Sequence, residues 1–166
     1  AVTDADDVIE CVQCLLNAKA DVNMDGEDGY TALHLACDVD VAQLLVDANA
    51  HVNVTNGNGE TPLQIAHDVG VVQLLVQAKA DVNKGSGNPA LHRVVQLNDV
   101  ATVQVLLAAK ADVHAKGTSG HLASHGLRRN KKITRGKEIA KLLSKAAASS
   151  SVKKSKGNRK RKNGQR

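Results

Sequence analysis

The sequence predicts an all-α fold, an α-solenoid of stacked helix-turn-helix repeats, because two phrases recur along it in register. The segment LLNAKADVN at 15–23 returns as LVDANAHVN at 45–53, LVQAKADVN at 75–83 and LLAAKADVH at 106–114. The segment GYTALHLA at 29–36 returns as GETPLQIA at 59–66 and GNPALHRV at 87–94. A repeat period of this length is typical of arrays in which each unit buries its apolar face against its neighbours.

Repeats are numbered by the occurrences of the first phrase, so the third repeat runs from GETPLQIA at 59 to the end of LVQAKADVN at 83. This repeat shows how each one is built. Thr61 has a hydroxyl that can cap a helix, and Pro62 follows at the first helical position, where its missing N–H costs nothing. A short first helix is predicted to follow, and residues 67–70 are predicted to turn the chain. Residues 71–78 then have apolar side chains at helical spacing, which predicts a second helix.

The predicted core is aliphatic, since Tyr30 is the only aromatic residue. We expect one continuous core along the stack, because stacked units bury their apolar faces against one another. It contains the leucines that hold the repeat phase: Leu33, Leu45, Leu63, Leu75, Leu91 and Leu106.

The phrases GETPLQIA and ADVN, in register, resemble the ankyrin repeat over residues 1–115, and the likeness is poor over 116–148. The resemblance implies two antiparallel helices per repeat, joined to the next repeat by a β-hairpin loop. It also implies that a protein partner binds a concave groove formed by hairpin tips and first helices. By register, the partner-binding candidates are Glu27, Asp28, Tyr30, Asp38, Asn58, Glu60, Asp68, Ser86, Asn88, Gln96 and Leu97.

The chain departs from the family pattern in several places. The second and third repeats are about three residues short between their helices, at 37–40 and 67–70, whereas the fourth regains this length over 95–100. Where the family places glycine after each second helix, this chain has Lys19, Asn49, Lys79 and Lys110, and we expect a positive φ at all four. The first repeat is truncated at its start, which we interpret as a fragment or a processed product.

The C-terminal part differs in charge from the rest. Residues 1–115 contain 5 Lys/Arg and 16 Asp/Glu, a net charge of −11, whereas residues 116–166 contain 17 Lys/Arg and one Glu, a net charge of +16. We predict that 1–148 form the repeat domain, with 116–148 as a degenerate cap closed by a helix over 133–148. We predict a disordered tail over 149–166, from its polar and basic composition. Its basic residues are Lys153, Lys154, Lys156, Arg159, Lys160, Arg161 and Lys162.

No catalytic, metal or cofactor motif stands out. Cys11 and Cys14 form a CxxC pair, but they lie mid-helix beside positions equivalent to Val72 and Leu74, so we expect them in the core. His34 is matched by His92, and in the family this histidine hydrogen-bonds the neighbouring loop, so we interpret it as structural. We therefore predict no enzyme activity, no bound metal and no cofactor.

We expect a protein–protein interaction scaffold or adaptor, monomeric and intracellular, in the cytoplasm, the nucleus or both. No apolar run approaches the roughly 18 residues that span a membrane, and no leader sequence is evident. The acidic repeats favour a basic partner. Two alternatives stay open: a nuclear or nucleic-acid-associated protein acting through its tail, by an import receptor or by phosphate contacts, and the targeting module of a longer enzyme.

Overall fold

The computed structural model describes the backbone of residues 4–129 and 135–161 and the side chains of residues 7–127 and 135–149. Within these ranges the chain is helical and contains no β-strand, so the predicted all-α solenoid is confirmed. Helix pairs follow one another along the stack. The helices are α1 (Asp4–Asn17), α2 (Ala32–Leu35), α3 (Val39–Asp47), α4 (Pro62–Ile65), α5 (Val69–Gln77), α6 (Ala90–Leu97), α7 (Val100–Ala108), α8 (Ala123–Arg129) and α9 (Gly136–Arg161), with a short 3₁₀ helix at Glu27–Gly29.

The second helix of three consecutive repeats begins at an aspartate. Asp38, Asp68 and Asp99 are the N-caps of α3, α5 and α7, and each carboxylate accepts hydrogen bonds from two backbone N–H groups of the first turn. Such a cap satisfies donors that the helix itself cannot. The turn of the third repeat is consequently shorter than predicted, because Val69 and Gly70 already belong to α5.

The shortened repeats lose residues from their first helices. Both α2 and α4 contain 4 residues, whereas α6 contains 8. The sequence placed the missing residues between the helices, and the structure instead removes the last turn of α2 and α4. The short and long helices end in different backbone conformations. Ala36 and Ala66, which follow α2 and α4, have φ angles of −67° and −53°, whereas Asn98, which follows α6, is left-handed with φ 60°.

The second helices α1, α3, α5 and α7 are each followed by a left-handed residue, as predicted. The φ angles are 61° at Lys19, 66° at Asn49, 67° at Lys79 and 67° at Lys110. In the third repeat the N–H of Ala80 donates to the carbonyl of Leu75 at 2.9 Å, which closes the helix over the left-handed residue. The bond recurs in the other repeats, so this geometry is a feature of the array, despite the steric cost of a side chain there.

The core runs through the stack as one cluster. The six leucines predicted for it are all buried, with at most 4% of the surface of any of them exposed. The terminal unit contributes Ile139 and Leu143 from α9, while Lys137, Lys141 and Lys145 are exposed. The described part of α9 therefore has one buried apolar side and one exposed basic side. Ile133 lies outside the described residues, and the assignment of 116–148 as a cap stays a prediction.

The helix α9 continues past residue 148, where the sequence predicts the repeat domain to end, as far as Arg161. The side chains from residue 150 onward lie outside the described residues. The predicted tail residues Lys153, Lys154, Lys156, Arg159, Lys160, Arg161 and Lys162 are among these, and the disordered tail stays a prediction.

The prediction that Cys11 and Cys14 pack in the core is wrong. Both thiols are exposed, as is that of Cys37, and all three are free. In α5 the corresponding residues are Val71 and Leu74, which are buried. The helix α5 packs between α3 and α7, whereas among the described residues α1 packs against α3 on one side only. The remaining apolar side of α1 is therefore uncovered, with Val8 51% and Leu15 60% exposed.

One buried nitrogen in the fourth repeat lacks a partner. In the second repeat the backbone N–H of Thr31 donates to Nδ1 of His34 at 3.1 Å, with the Thr31 hydroxyl 2.9 Å from the same atom. The residue in the place of Thr31 in the fourth repeat is Pro89, which has neither an N–H nor a hydroxyl. Nδ1 of His92 is consequently buried without a hydrogen bond.

We expect Pro89→Thr to stabilise the fold by about 1 kcal/mol. A restored cap and a partner for Nδ1 should contribute about 1–3 kcal/mol, and the loss of proline's restriction of the unfolded chain should subtract about 0.4–1 kcal/mol. The free energy of unfolding, from urea titration followed by circular dichroism, checks this. The reciprocal change Thr31→Pro should destabilise the protein. Equal or lower stability of Pro89→Thr would contradict the explanation.

Candidate functional site

In α2, α4 and α6, one polar side chain holds the loop of the next repeat. Nε2 of His34 lies 3.1 Å from the carbonyl oxygen of Glu60, and Nε2 of His92 lies 2.9 Å from that of His121. Because the N–H of Thr31 donates to Nδ1 of His34, Nε2 carries the proton and donates to Glu60. The loop-binding role that the resemblance implies for these histidines is therefore confirmed.

Glutamine replaces histidine at this position in the third repeat and makes the same kind of bridge. Nε2 of Gln64 donates to the carbonyls of Ser86 at 3.0 Å and Asn88 at 2.9 Å, and Oε1 accepts from the N–H of Thr61 at 2.9 Å. Gly85 makes room for it, since a Cβ there would overlap the Gln64 amide, and its φ of 108° also favours glycine. The first helices thus set the positions of the loops that follow them.

The hairpin loops also bond directly to one another. The N–H of Gly57 donates to the carbonyl of Asp28 at 2.6 Å, and the N–H of Ser86 donates to that of Gly59 at 2.7 Å. Oδ1 of Asn88 accepts from the N–H of Thr118 at 3.1 Å. The predicted hairpins contain little β-pairing. Among the described residues it consists of isolated antiparallel bridges at Asp25–Thr31 and Lys116–Leu122.

These loops and the first helices enclose an open groove of about 590 Å³. None of its lining residues belongs to a second helix. It lies where the third repeat meets the fourth, between the hairpin loops and the end of α6. The lining residues are Asn58, Glu60, His67, Ser86, Gly87, Asn88, Arg93, Gln96, Leu97 and Thr118.

Six of the eleven predicted partner-binding residues line this groove: Asn58, Glu60, Ser86, Asn88, Gln96 and Leu97. All of these are exposed apart from Glu60, which is half-buried. Oε2 of Glu60 accepts a hydrogen bond from the buried amide of Asn56 at 3.3 Å, so its carboxylate is held at the hairpin end of the groove.

The other five predicted residues lie elsewhere. Glu27, Asp28 and Tyr30 belong to the first hairpin, where Tyr30 is half-buried and its ring meets the edge of His34 with centroids 5.7 Å apart. Asp38 and Asp68 are beyond the far ends of α2 and α4, and their carboxylates cap α3 and α5. The repeat register predicted that these two residues lie at the surface. It did not show that their carboxylates are already bonded to the first turn of a helix.

Sequence reasoning missed His67 and Arg93, which carry the basic chemistry of the groove. Nη2 of Arg93 donates to Nε2 of His67 across 3.3 Å, which joins α6 to the turn between α4 and α5 of the third repeat. A usable signal was present, because Arg93 is one of only five Lys/Arg residues among 1–115 and follows the loop-binding His92 directly.

The part of the chain with described side chains contains no group of three or more His, Cys, Asp or Glu residues placed to hold a metal ion. His34 and Cys37 are two potential metal ligands three residues apart, but each side chain is bonded to a backbone carbonyl. Nε2 of His34 donates to that of Glu60, and the thiol of Cys37 donates to that of Leu35 at 3.4 Å. Within the described residues, no helix combines the length and apolar character needed to cross a membrane.

Stacked helix pairs whose loops project to one side define a repeat solenoid, and its loops and first helices line one groove. A family model for ankyrin repeats (3 copies) matches residues 4–56 and 38–117, so the two matched segments together cover most of the chain. The chain belongs to the ankyrin-repeat family. No curated protein sequence matches it.

The bridge between His34 and Glu60 generates a pH prediction. Burial lowers the pKa of His34 below its ordinary value of 6.5, against the opposing effects of the hydrogen bond to the Glu60 carbonyl and of the Glu60 charge. The unfolded chain therefore binds a proton more readily than the folded one. Folding is therefore favoured while His34 is neutral. We expect this stabilisation to be complete above pH 6.5 and to decline as the pH falls through 6.5 towards the folded-state pKa of His34.

His34→Gln should remove this contribution without removing the bridge, since Gln64 makes the equivalent bonds in the next repeat. The measurement is the free energy of unfolding of both proteins between pH 5 and 8. We expect a shallower decline on acidification in the variant, and His51→Gln, at an exposed position, is the matched control. Identical slopes in wild type and His34→Gln would show that His34 does not couple folding to pH.

Proposed function

We propose that this protein is an interaction module that binds another protein in the groove between its third and fourth repeats. Ankyrin repeats generally mediate protein–protein interaction, and their family is typically non-enzymatic, which supports a scaffold or adaptor over a catalyst. The observation that carries the proposal is the convergence of six predicted contact residues on one groove. Its volume of about 590 Å³ and its exposed amides suit side chains and backbone of a bound segment.

The hydrogen bonds that hold the rim of the groove support the same function. Its rim is held by Gln64, which bonds the carbonyls of Ser86 and Asn88, and by the bond between Ser86 and Gly59. A preorganised rim lowers the ordering cost of association, so more of the contact energy appears as affinity. Glu60 lies at the hairpin end of the groove, and Glu27 and Asp28 lie on the preceding hairpin, outside it. These carboxylates favour a basic region on the partner at the hairpin end.

The test is capture of partners by the purified protein, with identification by mass spectrometry and comparison of variants. Asn58→Arg with Gln96→Arg changes two exposed residues of the groove, and we expect the specific partner to be lost. The matched control is Gln73→Arg with Gln104→Arg, which adds the same charge on exposed positions of α5 and α7. Retention of the same partners by the groove variant would contradict the groove as the binding site.

A second proposed function concerns the basic C-terminal segment, favoured by the net charge of +16 over residues 116–166. We propose that the lysines and arginines of 153–162 act as a nuclear import signal. Its segment has no aromatic residue, so any contact with nucleic acid would be made to phosphates.

Deletion of residues 149–166 should abolish nuclear accumulation of a fluorescent fusion, because the import receptor would lose its basic ligand. A fusion in which Lys153, Lys154 and Lys156 are changed to Gln, with 159–162 intact, shows which group of basic residues carries the signal. Retained nuclear accumulation places it in 159–162, and lost accumulation shows that 153–156 are required. Unchanged localisation after the full deletion would exclude the import function.

A further inference from the structure

The groove owes one wall to the step in length between α4 and α6. Aligning the third and fourth repeats on Leu63 with Leu91, and on Asp68 with Asp99, leaves three additional residues in the fourth, 95–97. These residues form the last turn of α6, which α4 lacks. Val95 of this turn is fully buried, whereas Leu97 is 54% exposed and lines the groove.

A cation without a carboxylate partner lies beside this exposed leucine. Among the described residues, the one hydrogen-bond partner of the Arg93 guanidinium is Nε2 of His67, at 3.3 Å. Asp68 and Asp99, the carboxylates closest in sequence to His67 and to the end of α6, both accept backbone N–H groups as helix caps. The Arg93 guanidinium therefore retains N–H groups that donate to no acceptor among the described residues. It belongs to a segment, residues 1–115, whose net charge is −11.

We propose that this notch, formed by His67, Arg93, Gln96 and Leu97, is the specificity pocket of the groove for an extended peptide in which Asp or Glu lies next to an aliphatic residue. The guanidinium of Arg93 binds the carboxylate, and Leu97 packs against the aliphatic side chain. The exposed amide of Gln96 bonds the peptide backbone between them. This inference rests on the proposed interaction function.

The chemistry of the notch selects a carboxylate over a phosphorylated residue. Recognition of a phosphate dianion generally uses a cluster of arginines, whereas a single guanidinium matches one carboxylate with two parallel hydrogen bonds. Glu60 belongs to the hairpin end of the groove, where Asn56 holds it, so the groove is negative at one end and positive at the other. A bound segment consequently has a direction, with its acidic end in the notch.

The experiment selects peptides from a phage-displayed library of random dodecamers on the full chain. We expect enriched sequences with Asp or Glu beside Leu, Ile, Val or Met. A synthetic enriched peptide should bind Arg93→Glu about tenfold more weakly or worse, which corresponds to losing about 1.4 kcal/mol or more. Lys84→Glu is the control, because it makes the same charge change at an exposed hairpin residue outside the groove.

Two further variants test the leucine and the step. Leu97→Asp should abolish peptide binding, whereas Leu35→Asp, at a 63% exposed leucine of α2, should not. Insertion of Val-Gln-Leu between Ala66 and His67 should lengthen α4 by a turn and fill the notch. Peptide affinity should therefore fall. The same insertion between Ala36 and Cys37 lengthens α2, outside the groove, and should leave peptide affinity unchanged. Circular dichroism of every variant establishes that it is folded.

The outcomes separate this inference from the proposed function. Enrichment of peptides without an acidic–aliphatic pair, or equal binding by Arg93→Glu and wild type, would overturn the notch while leaving a groove-binding function in place. Selection of no peptide, together with unchanged partner capture by the Asn58 and Gln96 double variant, would overturn both. Loss of binding in Arg93→Glu and Leu97→Asp alone among the point variants would support the notch.

Discussion

The hydrogen bond from the first helix of one repeat to the loop of the next is the interaction on which the rest of the structure depends. His34, Gln64 and His92 supply it in successive repeats, and each links an almost fully buried side chain to a loop carbonyl. A helix of 4 residues, such as α2 or α4, would not be stable alone. It persists because its polar end is fixed to a loop and its apolar side is buried by neighbouring repeats.

This dependence explains how the face that carries the groove is held in place although it consists largely of loops. Ser86 and Asn88 at the groove rim are held by one glutamine, and Gly85 gives that glutamine its room. Two sets of residues therefore differ in burial. The buried His34, Gln64 and His92 hold the loops, while Asn58 and Gln96 are exposed and line the groove.

Variation between repeats, more than the repeat itself, distinguishes this molecule. Loss of one helical turn from α4 but not from α6 exposes Leu97 beside Arg93 at the junction of two units. A uniform array would present the same surface at every junction. Replacement of Thr by Pro89 is a second departure, and it leaves Nδ1 of His92 unpartnered in an otherwise satisfied ladder.

The sequence by itself determined the architecture, because period, capping residues and apolar spacing are local properties of each unit. The buried leucines and the four left-handed residues after the second helices followed from register alone, and both were confirmed. Six groove residues were also selected by register, since homologous positions in a solenoid lie on the same face.

Only the tertiary structure decided what depends on neighbours in space. Cys11 and Cys14 have core-like positions along the chain, but burial requires a helix on each side, and α1 has one described neighbour. Asp38 and Asp68 appear as exposed acids until the helix ends that they cap are located. The bond between Arg93 and His67 joins residues 26 positions apart, and no local pattern specifies that distance.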